Sequence, residues 1–331
     1  MFAVVLVGGF GTRLRPLTND IPKPMLPVVH RPMIVDLVER LAVAGITDVV
    51  LALGFRPEPF ASAFVNQRHG DVRIHYAVEP EPLDTGGAIA FAARLAGIDD
   101  TFVVANGDVI TDLDVSFLIN EHHRLGTIAT IHLTPVDDPS AFGVVEIGAA
   151  GVVHRFIEKP QPGDTDSNLI NGGTYVFEPS ALDLIKPDVP ISVERDTFQT
   201  LVRQGRLAGV STTDYWIDTG RPEQFLQANL DLIRGVRGPK PVATDPTAVV
   251  SADAIVIESV ISAGVVVGPG ASIADSVLLP GACIDADADV RGSIVAGRVG
   301  AGATVEACVV GSDFSVVAGS VHVGQRLPNH G

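Results

Sequence analysis

The sequence predicts an α/β domain followed by a parallel β-helix, on three observations. Up to about residue 235, short apolar runs alternate with amphipathic stretches of helical spacing, the pattern of a sheet flanked by helices. Around Gly235-Val236-Arg237-Gly238-Pro239-Lys240-Pro241 the pattern breaks into a glycine- and proline-rich linker. Beyond it helical periodicity stops, Lys and Arg become scarce, and aliphatic residues recur every six positions. The division expected is 1–235 for the first domain, 236–248 for the linker and 249–325 for the repeats.

Residues 3–7 form the first predicted strand, and 32–44 carry apolar side chains at helical spacing up to Gly45, a C-cap. Strands follow at 48–53 and 73–78, then a helix at 87–96 and a buried strand at 102–105 that stops at Asn106-Gly107-Asp108. Two more strands fall at 127–133 and 175–177, and helices at 197–204 and 222–234. His122-His123 lie on a further helix without matching ligands and are expected to be solvated.

In the repeats Val249, Ile255, Ile261, Val267, Ile273 and Leu279 share one register. It slips near Ile284 and Val290 and resumes at Val299, Val305, Val317 and Val323, with Gly311 in the intervening slot. A six-residue period makes each hexapeptide one flat side of a triangular coil, its aliphatic residue pointing inward. Gly268, Gly270, Gly300 and Gly302 suit the tight turns between sides. The pattern resembles the left-handed parallel β-helix of hexapeptide-repeat proteins.

The 331 residues are 46% hydrophobic and 19% charged, the composition of a soluble globular protein. A formal charge of −16 argues against nucleic acid or an anionic membrane as the main partner, since both need a basic surface. Any anionic ligand must be held by local basic residues and backbone N–H groups. The sequence starts on an apolar strand with no basic n-region or cleavage site, and no apolar run approaches the roughly 20 residues of a membrane span. A cytoplasmic protein is expected. Cys283 and Cys308, without a CxxC or a nearby ligand set, are expected as buried thiols.

The chemistry concentrates in Leu6-Val7-Gly8-Gly9-Phe10-Gly11-Thr12-Arg13, where a strand enters a glycine-rich turn. Three glycines let the backbone approach a ligand and aim N–H groups at anionic oxygens. Arg13 adds a permanently charged fork suited to phosphate. Lys23 sits in Pro22-Lys23-Pro24-Met25, between prolines that restrict the backbone. A dinucleotide fingerprint fails because Leu14 stands where its third glycine belongs, and a P-loop fails for want of Gly-Lys-Ser/Thr. Taken alone, the segment is a phosphate cradle of unknown purpose. Asp108, at the end of an apolar strand, reads alone as a turn former, and Glu158-Lys159 as an exposed charge pair.

The glycine-rich segment closely resembles the Gly-Gly-x-Gly-Thr-Arg-Leu-x-Pro-Leu-Thr … Pro-Lys-Pro-Met element of sugar-nucleotide pyrophosphorylases, and the resemblance covers the whole chain. It implies a Rossmann-like nucleotidyltransferase domain with a mixed sheet, followed by the β-helix. Pro-Lys-Pro-Met-Leu is similar to the mannose-1-phosphate guanylyltransferases, whereas thymidylyltransferases usually carry Lys-Gln there. The implied reaction is attack by a sugar-1-phosphate oxygen on the α-phosphorus of a nucleoside triphosphate, with Mg²⁺ between the two anions. By this resemblance Asp108 and Asp218, the latter in Trp216-Ile217-Asp218-Thr219-Gly220, hold the metal. Leu6, Gly8, Gly9, Gly11, Thr12, Arg13, Lys23, Thr85, Gly86 and Asp108 hold the nucleotide. Arg13 and Lys23 are the catalytic cations.

Gly143, Glu158, Lys159 and Asn171 are implied for the sugar phosphate, with Asn171-Gly172-Gly173 departing from the Asn-Ala-Gly common in the family. The base is expected against Gly8, Gly9 and the loop 79–87, read by backbone groups. Glu194-Arg195-Asp196 resembles a stretch of guanylyltransferases, its relation to sugar left open. Trp216 is expected to pack and fix the neighbouring aspartate. GTP with mannose-1-phosphate is the leading substrate pair. Glucose-1-phosphate with UTP or dTTP, other sugar phosphates, and a non-catalytic sugar-nucleotide sensor are the alternatives. A β-helix acyltransferase would need a histidine base, and the repeats offer only His322 and His330. The coil's open ends and flat faces point to a homo-oligomer.

Overall fold

A computed structural model describes residues 1–9, 11–54 and 57–328; Phe10 and His330 lie outside the described residues. The chain divides into two compact units, one of Met1–Gly9 with Ile34–Trp216, the other of Phe10–Met33 with Ile217–Gly331.

The first unit comprises β1 (Phe2–Leu6), α1 (Met33–Val43, from its second residue), β2 (Asp48–Leu53), β3 (Val72–Val78), α2 (Asp84–Leu95) and β4 (Phe102–Asn106). It continues through α3 (Val115–Leu125), β5 (Ala129–Pro135), β6 (Gly143–Ile147), β7 (Val153–Glu158), β8 (Leu169–Phe177), α4 (Phe198–Arg203) and β9 (Leu207–Ser211). One ten-stranded sheet runs through it. β1 lies between β2 and β4 and parallel to both, and β3 extends the parallel half from β2. β8 then pairs antiparallel with β4, β5 and β6, which makes the sheet mixed. β1, β2 and β4 are continuous apolar runs because helices cover the parallel half on its faces. Their carboxyl ends, at Leu6 and Asn106, form the edge where open α/β sheets bind ligands.

β8 starts at Leu169, well before the predicted 175–177. Its register breaks between Asn171 and Tyr175, where Gly172-Gly173 reads as a strand breaker and acts as a bulge. His122 corrects the expectation of a solvated pair. It shares the inward face of α3 with Leu118 and Ile119, is 1% exposed, and bonds Thr130 Oγ1 at 2.8 Å and Glu178 Oε1 at 3.0 Å. Only His123 is exposed.

The second unit holds the segment from Gly11 to Met33, α5 (Pro222–Arg234) and three five-stranded parallel sheets, the sides of a left-handed β-helix. Ile261, Val267 and Ile273 point inward as expected, but the strict six-residue register does not persist. Val249, Ile255, Val317 and Val323 are exposed, and their neighbours Val250, Val256, Val316 and His322 take the inward positions. Ile284 and Val290, where the sequence register slipped, are core residues, and Val310 rather than Gly311 faces the interior. One side of the coil is a residue shorter than the other two, so equivalent positions recur after 17 residues, or 15 between Ser293 and Cys308. A fixed six-residue count drifts by one position per turn, and the drift stays hidden because Val and Ile also occupy outward positions.

One corner shows the true period. Ser259, Ser276 and Ser293 each donate a hydroxyl to the carbonyl two residues back, and each accepts an N–H from the next coil. Cys308 continues the ladder, donating Sγ–H to Glu306 O and accepting from Gln325 N at 3.3 Å. Cys283 and Cys308 are both free thiols. On one side of the coil the outward Val260, Val277, Ile294 and Val309 are buried, and α5 packs on Val260–Ile261. Arg234, in the last turn of α5, clamps the same coil through Glu258 Oε2 (2.7 Å) and Asp275 Oδ1 (2.6 Å). Among the described residues no helix is long and apolar enough to cross a membrane.

Candidate active site

The basic candidates Arg13 and Lys23 lie in the second unit, with Asp218. Gly11 adopts φ +57, and a Cβ there would meet Thr18, whose hydroxyl donates to Gly11 O at 2.7 Å. The turn Thr12–Leu14 follows, with Leu14 buried beneath it and Thr12 and Arg13 exposed above. Lys23 opens a second short turn between Pro22 and Pro24 and is 6% exposed, with Nζ 3.4 Å from Asp218 Oδ1. Burying an ammonium is costly unless it is paired, and Asp218 supplies that charge. The same oxygen accepts the Gly220 N–H at 2.8 Å.

Gly220 lies between the charges. A Cβ there would stand 2.9 Å from Arg13 Nη2 and 3.0 Å from Asp218 Oδ1. A side chain at 220 would displace the guanidinium, the carboxylate or both. Helix α5 holds the loop beyond Lys23: Asn229, fully buried, accepts Val29 N–H at 2.6 Å. Val29 is held at φ +59, a conformation costing a β-branched residue on the order of 1–3 kcal/mol.

The first unit carries the remaining candidates. Leu6 ends β1, and its carbonyl accepts Gly107 N–H at 2.9 Å. A Cβ on Gly107 would come 2.7 Å from Val7 Cγ1, so glycine lets the turn bearing Asp108 press against β1. Gly8 and Gly9 are exposed; Gly8 abuts Gly54, and nothing lies within 4 Å of a Cβ on Gly9. Glu79 is buried beside Gly8, with Oε2 accepting Leu83 N–H at 2.8 Å and Oε1 facing the Gly8 backbone. Burial raises its pKa. Thr85 and Gly86 open α2, but the Thr85 hydroxyl donates to Glu194 Oε2 at 2.8 Å and the Gly86 N–H to Ile191 O at 2.7 Å. These two groups brace the loop, and Asp84 does the same through Arg195 at 2.7 Å.

Among the residues expected for the sugar phosphate, Gly143 lies opposite Glu158 across the β6–β7 pair, and a Cβ on it would stand 2.9 Å from Glu158 Oε2. Lys159 follows at φ +51, outside the range most side chains adopt. Burial raises the Glu158 pKa, Glu194 adds to the effect, and Lys159 and Arg195 oppose it. Asn171 donates Nδ2–H to Tyr175 Oη at 2.9 Å and accepts Gly173 N–H on Oδ1 at 3.0 Å. Tyr175 is fully buried, and its pKa is driven well up by desolvation and then by the charges of Glu194, Glu158 and Asp108. One phenol thus feels the carboxylates of Glu194, Glu158 and Asp108 together. Trp216 Nε1 donates to Gly172 O at 2.9 Å and meets Phe142 edge-on, so it braces the bulge beside Asn171.

The Gly172 departure has a physical cause. A Cβ there would run into the Nδ1 of His132, a fully buried ring held by Thr212 Oγ1 at 2.9 Å. His132 fills the space an alanine methyl would need. Sequence reasoning missed this residue and Tyr175, which read as ordinary strand residues. It placed Glu79 in the base loop and Gly220 in the Trp-Ile-Asp-Thr-Gly stretch, without the side-chain or steric part each plays in the structure.

Among the described residues no group of three or more His, Cys, Asp or Glu is gathered to hold a metal ion. Asp108 and Asp218 are hard carboxylate donors, the type Mg²⁺ takes in ones and twos while drawing its other ligands from water and substrate phosphates. The donor chemistry therefore fits such an ion.

Residues 2–235 match the family described as Nucleotidyl transferase, and residues 239–328 match the GMPPB C-terminal domain. The chain belongs to the nucleotidyl transferase family. It is 42% identical over 230 residues to the mannose-1-phosphate guanyltransferase of Aspergillus oryzae, covering 68% of this chain and 62% of that protein. It is 39% identical over 280 residues to the mannose-1-phosphate guanylyltransferase of Mycobacterium tuberculosis, covering 81% of this chain and 77% of that protein. Among solved structures, HddC from Yersinia pseudotuberculosis complexed with GMP-PN superposes with a TM-score of 0.59 at 30% identity, over 69% of this chain and 97% of HddC.

Proposed function

We propose that the protein transfers a guanylyl group from GTP to mannose-1-phosphate, giving GDP-mannose and pyrophosphate, with Mg²⁺ held by Asp108 and Asp218. The observation that carries this reading is the convergence of Arg13, Lys23 and Asp218 around Gly220. Two cations and a carboxylate at a glycine-lined backbone suit a triphosphate, and they offer nothing to hydride or acyl transfer. A phosphate oxygen of the sugar attacks the α-phosphorus, the bond to the β-phosphate bridging oxygen breaks, and pyrophosphate leaves. The attacking phosphate is already ionised, so no general base is required.

The metal, when bound, supplies charge neutralisation between the two phosphate groups. Lys23, stiffened by its prolines, orients the α-phosphate, and Arg13 neutralises charge on the departing pyrophosphate. Gly8, Gly9, Gly11 and Thr12 offer backbone N–H groups to the phosphates, and Leu6, Thr85 and Gly86 shape the nucleotide pocket. Glu158 and Asn171 accept and donate to sugar hydroxyls across the gap left by Gly143, and Lys159 draws in the sugar phosphate.

Guanine is favoured by Glu79. A buried carboxylate accepts from the two adjacent donors, N1–H and N2–H₂, that guanine alone presents, whereas adenine and the pyrimidines offer one donor group with an acceptor beside it. The partner is a second copy of the chain, joined through the β-helix side that exposes Ile255, Ile257, Val321 and Val323, and the setting is cytoplasmic. A matrix of nucleoside triphosphates against sugar-1-phosphates, ranked by kcat/KM with pyrophosphate release as the readout, tests the function. GTP with mannose-1-phosphate is expected first. Another best pair overturns the specificity, and nucleotide binding without turnover on any pair leaves a sensor instead.

A further inference from the structure

The glycine at 311 is not demanded by the coil that carries it. Its backbone is outside the left-handed region. Strand register makes Ala296 its counterpart one coil earlier and Leu279 the counterpart before that, each donating its N–H to the next coil as Gly311 does. Both counterparts carry side chains. What differs at 311 is the neighbour: a Cβ there would stand 2.9 Å from Pro16 Cβ and 3.0 Å from Pro16 Cγ.

Pro16 belongs to the phosphate loop, three residues after Arg13, and it is buried, flanked in sequence by the exposed Arg15 and the buried Leu17. Its ring restricts its own backbone, and Leu14 and Leu17 anchor the chain on both sides. A push on Pro16 therefore passes along the chain into the Thr12–Leu14 turn. At that turn the Arg13 guanidinium and the Asp218 carboxylate both border Gly220. The side of the coil that presents Gly311 is also the side whose outward aliphatics are buried and on which α5 packs.

We propose that Gly311 is a positioning residue for nucleotidyl transfer: through its contact with Pro16, the β-helix sets the Arg13 turn. This rests on the nucleotidyltransferase reading above. The coil is then part of what places the catalytic cation, besides being a surface for assembly.

The test is a double-mutant cycle on the full chain, using GTP, mannose-1-phosphate and Mg²⁺, with pyrophosphate release and thermal unfolding as readouts. Gly311→Ala is expected to lower kcat about tenfold with KM changed much less, because displacements of an ångström cost up to about a hundredfold in rate. In a Pro16→Gly background, which itself slows the enzyme, adding Gly311→Ala is expected to change kcat by less than about twofold, since the colliding ring is gone. Gly300→Ala is the strain control. A Cβ there would stand 2.7 Å from Ala318 N without touching the loop, so it should lower the unfolding midpoint and leave kcat unchanged. Equal losses from Gly311→Ala in both backgrounds overturn the inference, as does failure of both the single and the double variant to fold. An active wild type with an unaffected Gly311→Ala overturns the positioning role alone. A wild type inactive on every substrate pair overturns the functional reading and this inference with it.

Discussion

Gly220 donates its N–H to Asp218 Oδ1 at 2.8 Å, and its α-carbon faces the space into which the Arg13 guanidinium projects. Gly220→Ala is therefore expected to lower kcat/KM by about a hundredfold, comparable to removing one electrostatic contact to the transition state. Circular dichroism should show the fold retained. Turnover within threefold of wild type would show that Arg13 and Asp218 tolerate separation.

Glu79→Gln keeps the shape of the side chain and turns a pure acceptor into a group with both donor and acceptor. The preference for GTP over UTP and dTTP, measured as a ratio of kcat/KM, is expected to fall by about tenfold or more. An unchanged ratio assigns base choice to the backbone of the 79–87 loop.

Gly172→Ala is expected to destabilise the protein by about 1–3 kcal/mol, the usual range for overpacking, because its methyl meets His132. His132→Ala in the same chain should recover most of that loss. Urea unfolding of the two single variants and the double variant checks this, and a neutral Gly172→Ala would refute the account of the departure from Asn-Ala-Gly.

His132 also gives stability a pH dependence. Burial pushes its pKa from 6.5 down to about 4, with the charge of Asp214 opposing. Between those values the unfolded chain binds a proton that the folded chain excludes, so this residue's contribution is complete above about pH 6.5 and is lost toward pH 4. The full effect is on the order of 3 kcal/mol. Glu79 and Glu158, shifted upward, act in the opposite sense as pH falls, so the measurement is a difference. His132→Gln should show a shallower fall in unfolding free energy across this window than wild type.

Cys308 stands where Ser259, Ser276 and Ser293 form a hydroxyl ladder. Cys308→Ser is expected to preserve or raise the unfolding midpoint. Cys308→Ala leaves the Gln325 N–H without its acceptor and should cost about 1–2 kcal/mol. Equal midpoints for the two variants would show that the sulfur contributes nothing to the ladder.

Much of the architecture was legible because it depends on local chemistry. The strands at the sheet centre announce themselves as apolar runs, and Gly8-Gly9-Phe10-Gly11-Thr12-Arg13 with Pro22-Lys23-Pro24 marks the candidate phosphate loop by residue type and spacing. The six-residue rhythm announces a coil. The inward register of that coil was not legible, because one short side shifts the phase at every turn while aliphatic residues occupy both faces of each strand. His122 was misread for a related reason: polarity alone placed it outside, and the partners that satisfy it, Thr130 and Glu178, lie on other elements.

The sequence by itself determined the two-part architecture and the identities of the candidate phosphate loop, cations and carboxylates. Those properties reside in residue types and short spacings. The tertiary structure decided which groups are already committed: Thr85 to Glu194, Asn171 to Tyr175, Gly172 to the space beside His132, Gly220 to the gap between Arg13 and Asp218. It also decided that Gly311, which seemed to fill an empty slot in a repeat, faces Pro16 instead. Apart from Asn171 with Tyr175 and Gly220 with Asp218, which are near neighbours in sequence, these pairs are distant along the chain, and only the folded backbone brings their members within a few ångströms, where steric exclusion and hydrogen bonding act.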